Sequence, residues 1–378
     1  MIPLFDTSTP LAALRGELRA AIERVLDSER YILGPEVGAF EREFAAYCGA
    51  DHAVGVANGT DAITIALRAM GVGPGDEVIV PSFTFYASAE AIPPTGATPV
   101  FCDIDPDTYC MSSETVRAAL TPRTKAVLAV HLIGNVAPVA EIEALGVPVL
   151  EDAAQAAGSR VIAPLHADSA AGGVAKPTSD AMRPGAVGTA GTFSFFPSKN
   201  LGCFGDGGMI TTSDETVAER ARTLRFHGSH DKVTYELLGY NSRLDELQAA
   251  ILRVQLPHLE GWADGRRQAG RHYEQAGLGE LVRLPRPTGG AEPAWHLYVV
   301  SHPEAERLES ALDAADIGHK AYYRTPVHSQ AAMREWGAGV DELPGTEQAA
   351  RTHLAIPMSP VLTREQVDEV VAAIRAMG

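Results

Sequence analysis

Lysine is scarce in this sequence, and bases of all kinds are outnumbered by acids. The 378 residues contain 31 Lys and Arg against 48 Asp and Glu, which gives a formal charge of −17. Such a chain lacks the excess of basic residues that binds nucleic-acid phosphates, so we predict no nucleic-acid partner. Chemistry that depends on a lysine amine has only five candidates. They are Lys125, Lys176, Lys199, Lys232 and Lys320.

Cysteine and long apolar runs are also scarce. The four cysteines form no C-x-x-C pair, which argues against a zinc site and against a disulfide framework. No window approaches the roughly 20 apolar residues of a membrane span, and the amino terminus lacks the pattern of a signal peptide. We therefore predict a cytoplasmic protein with buried thiols and no membrane partner.

What is present is an alternation of short apolar strands and helical patterns between residues 51 and 151. Continuous apolar strands separated by helices are typical of a parallel sheet buried on both faces. The pattern changes near residue 255 to helices, a proline-rich stretch and one strand. We predict a large α/β domain over residues 1–254, with an N-terminal helical segment, and a smaller α+β domain over 255–378. The stretch Val161–Ala190, rich in small residues, is predicted to be a long surface loop.

Lys199 differs from the other lysines in its surroundings. It follows the apolar run Thr192–Phe196 and precedes the glycine cluster Gly205–Gly208. A lysine at the mouth of a sheet is desolvated, and the resulting fall in pKa favours the neutral amine that Schiff-base chemistry needs. A surface lysine in a turn fits the local sequence equally well.

Two other segments predict parts of a cofactor site. Asp152 follows the predicted strand Val147–Leu150, where a carboxylate could keep the pyridine nitrogen of pyridoxal 5'-phosphate (PLP) protonated. The segment Asn58–Ala62 opens a helix, and Gly59 lets its N–H groups approach a phosphate. A capping aspartate and an ordinary capped helix are the alternatives. Together with Lys199, however, these segments predict a PLP site that none of them establishes alone.

At this point the sequence resembles the DegT/DnrJ/StrS family of PLP-dependent sugar aminotransferases, which have the fold type I aminotransferase architecture. The resemblance extends over nearly the whole chain and implies a mostly parallel seven-stranded sheet between helices, plus a smaller α+β domain. It rests on motifs in the family's order: Tyr31–Val37, Asn58–Ala62, Gly73–Val78, Glu151–Gln155, Ser194–Lys199 with Gly205–Gly208, and Asn241–Asp245.

The resemblance also implies roles for individual residues. Lys199 carries the cofactor as a Schiff base and then moves a proton between substrate and cofactor, while Asp152 pairs with the ring nitrogen. The pyridoxamine form of the cofactor is the intermediate between the two halves of the reaction. In the family the residue matching Asn241 reaches the phosphate from the partner subunit, which implies a homodimer with shared active sites. The other implied cofactor contacts are Gly59, Thr60, Phe85, Gln155 and Ser194.

Substrate contacts are predicted for Arg243, Tyr322, Arg324 and His328. Here the sequence departs from the family, which often has His-Tyr-Pro where this chain has Tyr322-Tyr323-Arg324. A histidine role at that position is therefore not carried over. No metal site is predicted, since His227 with His230, and Asp103 with Asp105, each lack a third ligand nearby.

The implied reaction transfers an amino group from L-glutamate to a keto group, favoured at C3, of a UDP- or dTDP-linked sugar in amino-sugar biosynthesis. A 4-keto-6-deoxy nucleotide sugar is an alternative acceptor. A sugar dehydratase of the same fold replaces the lysine with histidine, which Lys199 argues against. A PLP-binding regulatory protein without turnover is the alternative from another functional class.

Overall fold

The structure is a computed structural model that describes residues 1–162, 182–340 and 342–377. Most of the predicted loop 161–190 lies outside these ranges. Of its two ends, Val161 donates its N–H to the carbonyl oxygen of Met182 (2.8 Å), and Ala190 begins a strand. The described strands, in chain order, are β1 (His52–Val56), β2 (Glu77–Pro81), β3 (Thr98–Cys102), β4 (Thr124–Val130), β5 (Val149–Asp152), β6 (Arg160–Val161), β7 (Ala190–Ser194), β8 (Gly208–Thr212), β9 (Ala291–Glu292), β10 (Tyr298–Ser301) and β11 (His353–Ile356).

Seven of these strands form the central sheet, in the spatial order β1-β8-β7-β5-β4-β2-β3. Strand β8 runs antiparallel to both of its neighbours, and the other pairs are parallel. The strands in the middle of the sheet are buried along nearly their whole length because helices cover both faces. This confirms the predicted α/β fold with a mostly parallel sheet.

Within residues 51–151, an α-helix separates each strand from the next, as the alternating sequence pattern predicts. The described α-helices are α1 (Thr9–Ala12), α2 (Arg15–Ser28), α3 (Pro35–Cys48), α4 (Gly59–Ala69), α5 (Tyr86–Glu90), α6 (Ser113–Ala119), α7 (Val139–Glu143), α8 (Glu215–Arg225), α9 (Glu246–Gln255), α10 (Leu259–Gln275), α11 (Ala305–Ala314), α12 (Arg334–Gly337), α13 (Pro344–Thr352) and α14 (Arg364–Arg375). Within the described ranges, no helix is both long enough and apolar enough to cross a membrane.

A further hydrophobic core surrounds the two-stranded sheet of β10 and β11 and includes side chains of α10, α11 and α14. The amino terminus joins this core, since Ile2 pairs with Ile317 in a parallel bridge. Phe83 and Ile133, from loops at the edge of the central sheet, are buried in the same cluster. The loops at that edge therefore lie between the central sheet and the core around β10 and β11. The predicted division of the chain after residue 254 stays a prediction.

Candidate active site

The loops that follow β2, β4, β5 and β7 surround a cavity of about 360 Å³ together with the start of α4. This is the edge at which parallel α/β sheets bind their ligands, because the carboxyl ends of the strands meet there. Segments far apart in the sequence thus contribute to one site. Eight of the predicted site residues line the cavity: Gly59, Thr60, Phe85, Asp152, Gln155, Ser194, Lys199 and Tyr322.

Lys199 lies in a turn shortly after β7. Its backbone N–H donates to the carbonyl oxygen of Phe196 (2.8 Å), and the partly buried residue lines the cavity. Burial lowers the pKa of Lys199 to about 8, although the negative charge of Asp152 acts in the opposite direction. A lysine with this pKa is a neutral amine much more often near neutral pH than an ordinary lysine, and the neutral amine is the nucleophilic form. The surface-turn alternative is therefore not what the structure shows.

Asp152 is the last residue of β5 and is 6% exposed. Its Oδ2 accepts a hydrogen bond from the Ser88 hydroxyl (2.7 Å), and its Oδ1 accepts one from the Ala154 N–H (3.1 Å). No helix of the described chain begins at Asp152, so it is not the helix cap that the sequence allowed. The structure instead holds a buried carboxylate at the wall of the cavity, in the same site as Lys199.

The start of α4 forms a cradle of backbone N–H groups. Asn58 caps this helix, with its side-chain oxygen accepting from the Asp61 N–H (2.8 Å). Gly59 and Thr60 occupy the first turn, where N–H groups have no acceptor within a helix. A Cβ atom on Gly59 would lie 2.7 Å from the Cβ of Ser194, so only glycine fits against that serine. Free N–H groups at a helix start, beside a hydroxyl, are suited to bind a phosphate.

Gln155 is held by the protein at both ends of its amide group. Its oxygen accepts from the Ile133 N–H (2.7 Å), and its nitrogen donates to the Tyr323 hydroxyl (3.1 Å). Burial raises the pKa of Tyr323, so the phenol keeps its proton and can donate it to a ligand in the cavity. Sequence reasoning assigned no role to Tyr323. Tyr323 could have been singled out because it lies in the segment that differs from the family's His-Tyr-Pro.

Two histidines that were not predicted also line the cavity. His131 accepts the Ala137 N–H at Nδ1 (2.9 Å), so its proton is on Nε2, which faces Glu151 Oε2 at 2.8 Å. His296 is buried, and its Nδ1 has no hydrogen-bond partner in the described part of the chain. Burial lowers the pKa of His296 well below its usual range, and the charges of Lys199 and Arg266 act in the same direction. His296 therefore presents a neutral imidazole to the site.

A model of the DegT/DnrJ/EryC1/StrS aminotransferase family matches residues 13–375 of this chain. The chain belongs to this family. Among solved structures, this chain is similar to S. venezuelae DesV, whose crystal structure was solved in complex with a ketimine intermediate. The TM-score between the two is 0.91. That protein is 43% identical, and the match covers 99% of this chain and 98% of the other.

Three curated relatives are similar over nearly their whole length. A dTDP-3-amino-3,4,6-trideoxy-alpha-D-glucose transaminase from Streptomyces venezuelae is 44% identical over 99% of this chain and 95% of its own. A UDP-N-acetyl-3-dehydro-alpha-D-glucosamine 3-aminotransferase from Acidithiobacillus ferrooxidans is 41% identical over 99% and 97%. A pleiotropic regulatory protein from Geobacillus stearothermophilus is 42% identical over 99% and 97%.

Four of the predicted site residues do not line the cavity of the single chain. Asn241 is exposed, and Arg243 lies over the ring of Phe226 at 5.9 Å. Arg324 forms an ion pair with Glu309 (2.6 Å). His328 meets the Ser82 hydroxyl through Nδ1 at 2.5 Å. Their roles in binding cofactor or substrate stay predictions.

Proposed function

We propose that this protein is a PLP-dependent aminotransferase that moves an amino group from L-glutamate to the C3 keto group of a nucleotide-linked sugar. The observation that carries the proposal is the meeting of Lys199, Asp152 and the start of α4 around one cavity, within a chain of the aminotransferase family. Two relatives named for 3-amino or 3-keto sugars support C3 over C4, and their names include both dTDP and UDP.

The residues around the cavity fit PLP in chemistry and in arrangement. The N–H groups of Gly59 and Thr60, with the Ser194 hydroxyl, would hold the phosphate, and Asp152 would pair with the ring nitrogen. Phe85 lines the same cavity with an exposed ring that would cover one face of the cofactor. When bound, PLP supplies an electron sink for the carbon that exchanges its amino group.

The protein's own contribution is to supply a base and a fixed charge. Once its amine is free, Lys199 takes the proton from the donor's carbon and returns one to the acceptor's carbon, since burial keeps much of the amine neutral near pH 8. Asp152 is held in place by Ser88 and Ala154, so its charge does not have to reorganise during the reaction. One lysine thus serves both halves of the transfer.

A homodimer with shared active sites is part of the proposal. Asn241 and Arg243 are at the surface of the single chain, although the resemblance assigns Asn241 to a neighbouring subunit's phosphate. Exposed apolar side chains, which a protein–protein contact would bury, support this association. They include Tyr31 and Ile32, Phe204, Val233 and Leu238. The cytoplasmic location also belongs to the proposal, supported by four free, buried cysteines.

The test is a pair of half-reactions followed by the absorption of the cofactor. Protein loaded with PLP is mixed with L-glutamate, and protein loaded with pyridoxamine phosphate is mixed with 3-keto or 4-keto nucleotide sugars. We expect conversion by glutamate and recovery of the aldehyde form with a 3-keto sugar. Recovery only with 4-keto sugars would assign the alternative acceptor.

A regulatory protein without turnover is the second candidate, because one relative of similar identity is named a pleiotropic regulatory protein. Tight binding of PLP with no conversion by glutamate or by any keto sugar would support it. The variant Lys199→Ala provides the control spectrum for that outcome, since it can bind the cofactor without transferring a proton.

A further inference from the structure

Two buried hydroxyl groups lie in series behind Asp152. The Ser88 hydroxyl on α5 is 2.7 Å from Asp152 Oδ2, and the Thr84 hydroxyl is 3.0 Å from the Ser88 oxygen. Ser88 is 1% exposed and Thr84 is 3% exposed. Both residues are at the wall of the cavity that holds Lys199. No sequence motif singled out Ser88 or its contact with Asp152.

The chemistry of the groups sets the direction of these hydrogen bonds. An ionised carboxylate can only accept, so Ser88 donates its single proton to Asp152. The Ser88 oxygen then has only lone pairs to offer, and Thr84 must be the donor to it. The series therefore runs in one direction and ends on the carboxylate. A donor that itself accepts a hydrogen bond is polarised and binds an anion more strongly.

The Asp152 carboxylate needs such hydrogen-bond donors because it is buried. A buried carboxylate is penalised relative to its protonated form unless donors stabilise the charge. The charge of Lys199 faces it across the cavity, the phenol of Tyr323 is near, and the backbone supplies one donor at Ala154. The neighbouring carboxylate of Glu151 has its own partners, His131 and three backbone N–H groups. Ser88 is the hydroxyl donor that the described structure provides for Asp152.

Resting on the proposed function, we propose that Ser88 and Thr84 are positioning residues that hold the Asp152 carboxylate in place toward the ring nitrogen of the cofactor. Without them, the carboxylate would lose its fixed orientation at the wall of the cavity. The cofactor would then be held less tightly, and the half-reaction would slow.

A purely structural role for the Ser88 hydroxyl does not account for its contacts. The short helix α5 is closed by backbone hydrogen bonds, including Ser88 N–H to the Phe85 carbonyl oxygen (3.1 Å). Alanine, which occupies positions 87 and 89, has a higher helix propensity than serine. Within the described residues, the Ser88 hydroxyl forms hydrogen bonds with the Thr84 hydroxyl and with the Asp152 carboxylate.

The experiment compares Ser88→Ala, Ser88→Thr and Thr84→Val with the wild type. Apo protein is titrated with PLP to obtain the dissociation constant, and the glutamate half-reaction gives its rate and KM. Because a hydrogen bond to a charged group is lost, Ser88→Ala should weaken PLP binding and slow the half-reaction about tenfold each. KM for glutamate should change less than about twofold, because no contact with the donor is removed. Ser88→Thr should restore both values.

The matched control is Ser301→Ala, which breaks a partly buried serine–threonine pair away from the cavity. The Ser301 hydroxyl donates to Thr352 Oγ1 at 2.7 Å. This variant should change stability without changing PLP affinity or the half-reaction. Equal effects of Ser301→Ala and Ser88→Ala on PLP affinity would show that the loss is general, and would overturn the proposal.

Thr84→Val keeps the test decisive if Ser88→Ala does not fold. It removes the outer donor at nearly constant volume, and we expect about a threefold loss of PLP affinity. Unchanged affinity in folded Ser88→Ala or in Thr84→Val, with normal turnover by the wild type, overturns this inference alone. A wild-type protein that binds no PLP, or does not respond to glutamate, contradicts the proposed function instead.

Discussion

Two adjacent carboxylates at the end of β5, Glu151 and Asp152, lie on opposite faces of the sheet and differ in their hydrogen-bond partners. Glu151 is fully buried and accepts hydrogen bonds from the Nε2 of His131 and from the N–H groups of Gly185, Val187 and Gly188. Among the residues that the structure describes, Asp152 accepts from only two groups, and it keeps one side toward the cavity. A carboxylate whose partners are all within the protein stabilises the fold, whereas one with unused acceptor capacity is available to a ligand.

The largest effect on the reaction is expected from a substitution at Lys199, on the cavity side of the sheet. Lys199→Ala should lower the rate of both half-reactions by about 10³-fold or more, because the base and the nucleophile are lost together. Reduction of the PLP-loaded wild type with borohydride, followed by peptide mass spectrometry, should locate the adduct at Lys199. An adduct of equal yield in the variant would contradict the assignment.

Exchanging each carboxylate for its amide tests the two faces directly. Asp152→Asn should lower the half-reaction rate about 10²–10³-fold with little change in thermal stability, since a fixed charge at the site is lost. Glu151→Gln should cost about 3–5 kcal/mol of unfolding free energy, because a buried and fully partnered charge is replaced. Denaturant unfolding and stopped-flow absorbance give the two readouts. Similar losses of unfolding free energy in Asp152→Asn and Glu151→Gln would contradict the different roles assigned to the two carboxylates.

Removing the close contact that allows a phosphate to approach should have an intermediate effect. In Gly59→Ala the new methyl group would meet the Cβ of Ser194 at 2.7 Å, so the helix start or the serine must shift. We expect PLP affinity to fall about tenfold or more, corresponding to at least 1.4 kcal/mol. Gly73→Ala is the matched control, since nothing lies within 4 Å of a Cβ there.

The lowered pKa of Lys199 predicts a pH dependence for cofactor attachment to the apo protein. The amine is protonated below its pKa of about 8 and neutral above it. The attachment rate should therefore rise about tenfold between pH 7 and pH 9 and then level off. An ordinary lysine would continue to gain reactivity up to about pH 10.4. A rate still rising about sevenfold between pH 9 and pH 10, as for an ordinary lysine, would contradict the desolvated environment.

The smallest effect is expected at the rim of the site, at Arg324. Its guanidinium is already paired with Glu309, and it does not line the cavity. Arg324→Ala should change KM for the sugar by no more than about threefold, as exposed ion pairs contribute little. Steady-state kinetics with the best keto sugar measure this. A loss above tenfold in kcat/KM would place Arg324 at the substrate and support the substrate contact predicted for it.

Local sequence predicted the strands and helices well, because apolar periodicity and turn residues act over a few positions. The run Gly208–Thr212 forms strand β8, yet nothing in it specifies that β8 runs antiparallel between β1 and β7. Strand direction depends on where the chain returns after Lys199, which is a property of the whole sheet. Likewise, the resemblance implied a role for Gln155, but not that Ile133 and Tyr323 occupy its amide.

The fold class and the candidate site residues Lys199, Asp152 and Asn58–Ala62 could be predicted from the sequence, since they lie in motifs that follow one another along the chain. Which polar groups support them depends on the folded arrangement. Ser88 meets Asp152 across 64 positions of sequence, and Glu151 faces away from its neighbour, because a hydrogen bond depends on ångström distances between loops of different strands. The burial that lowers the pKa of Lys199, against the opposing charge of Asp152, arises only once those loops converge.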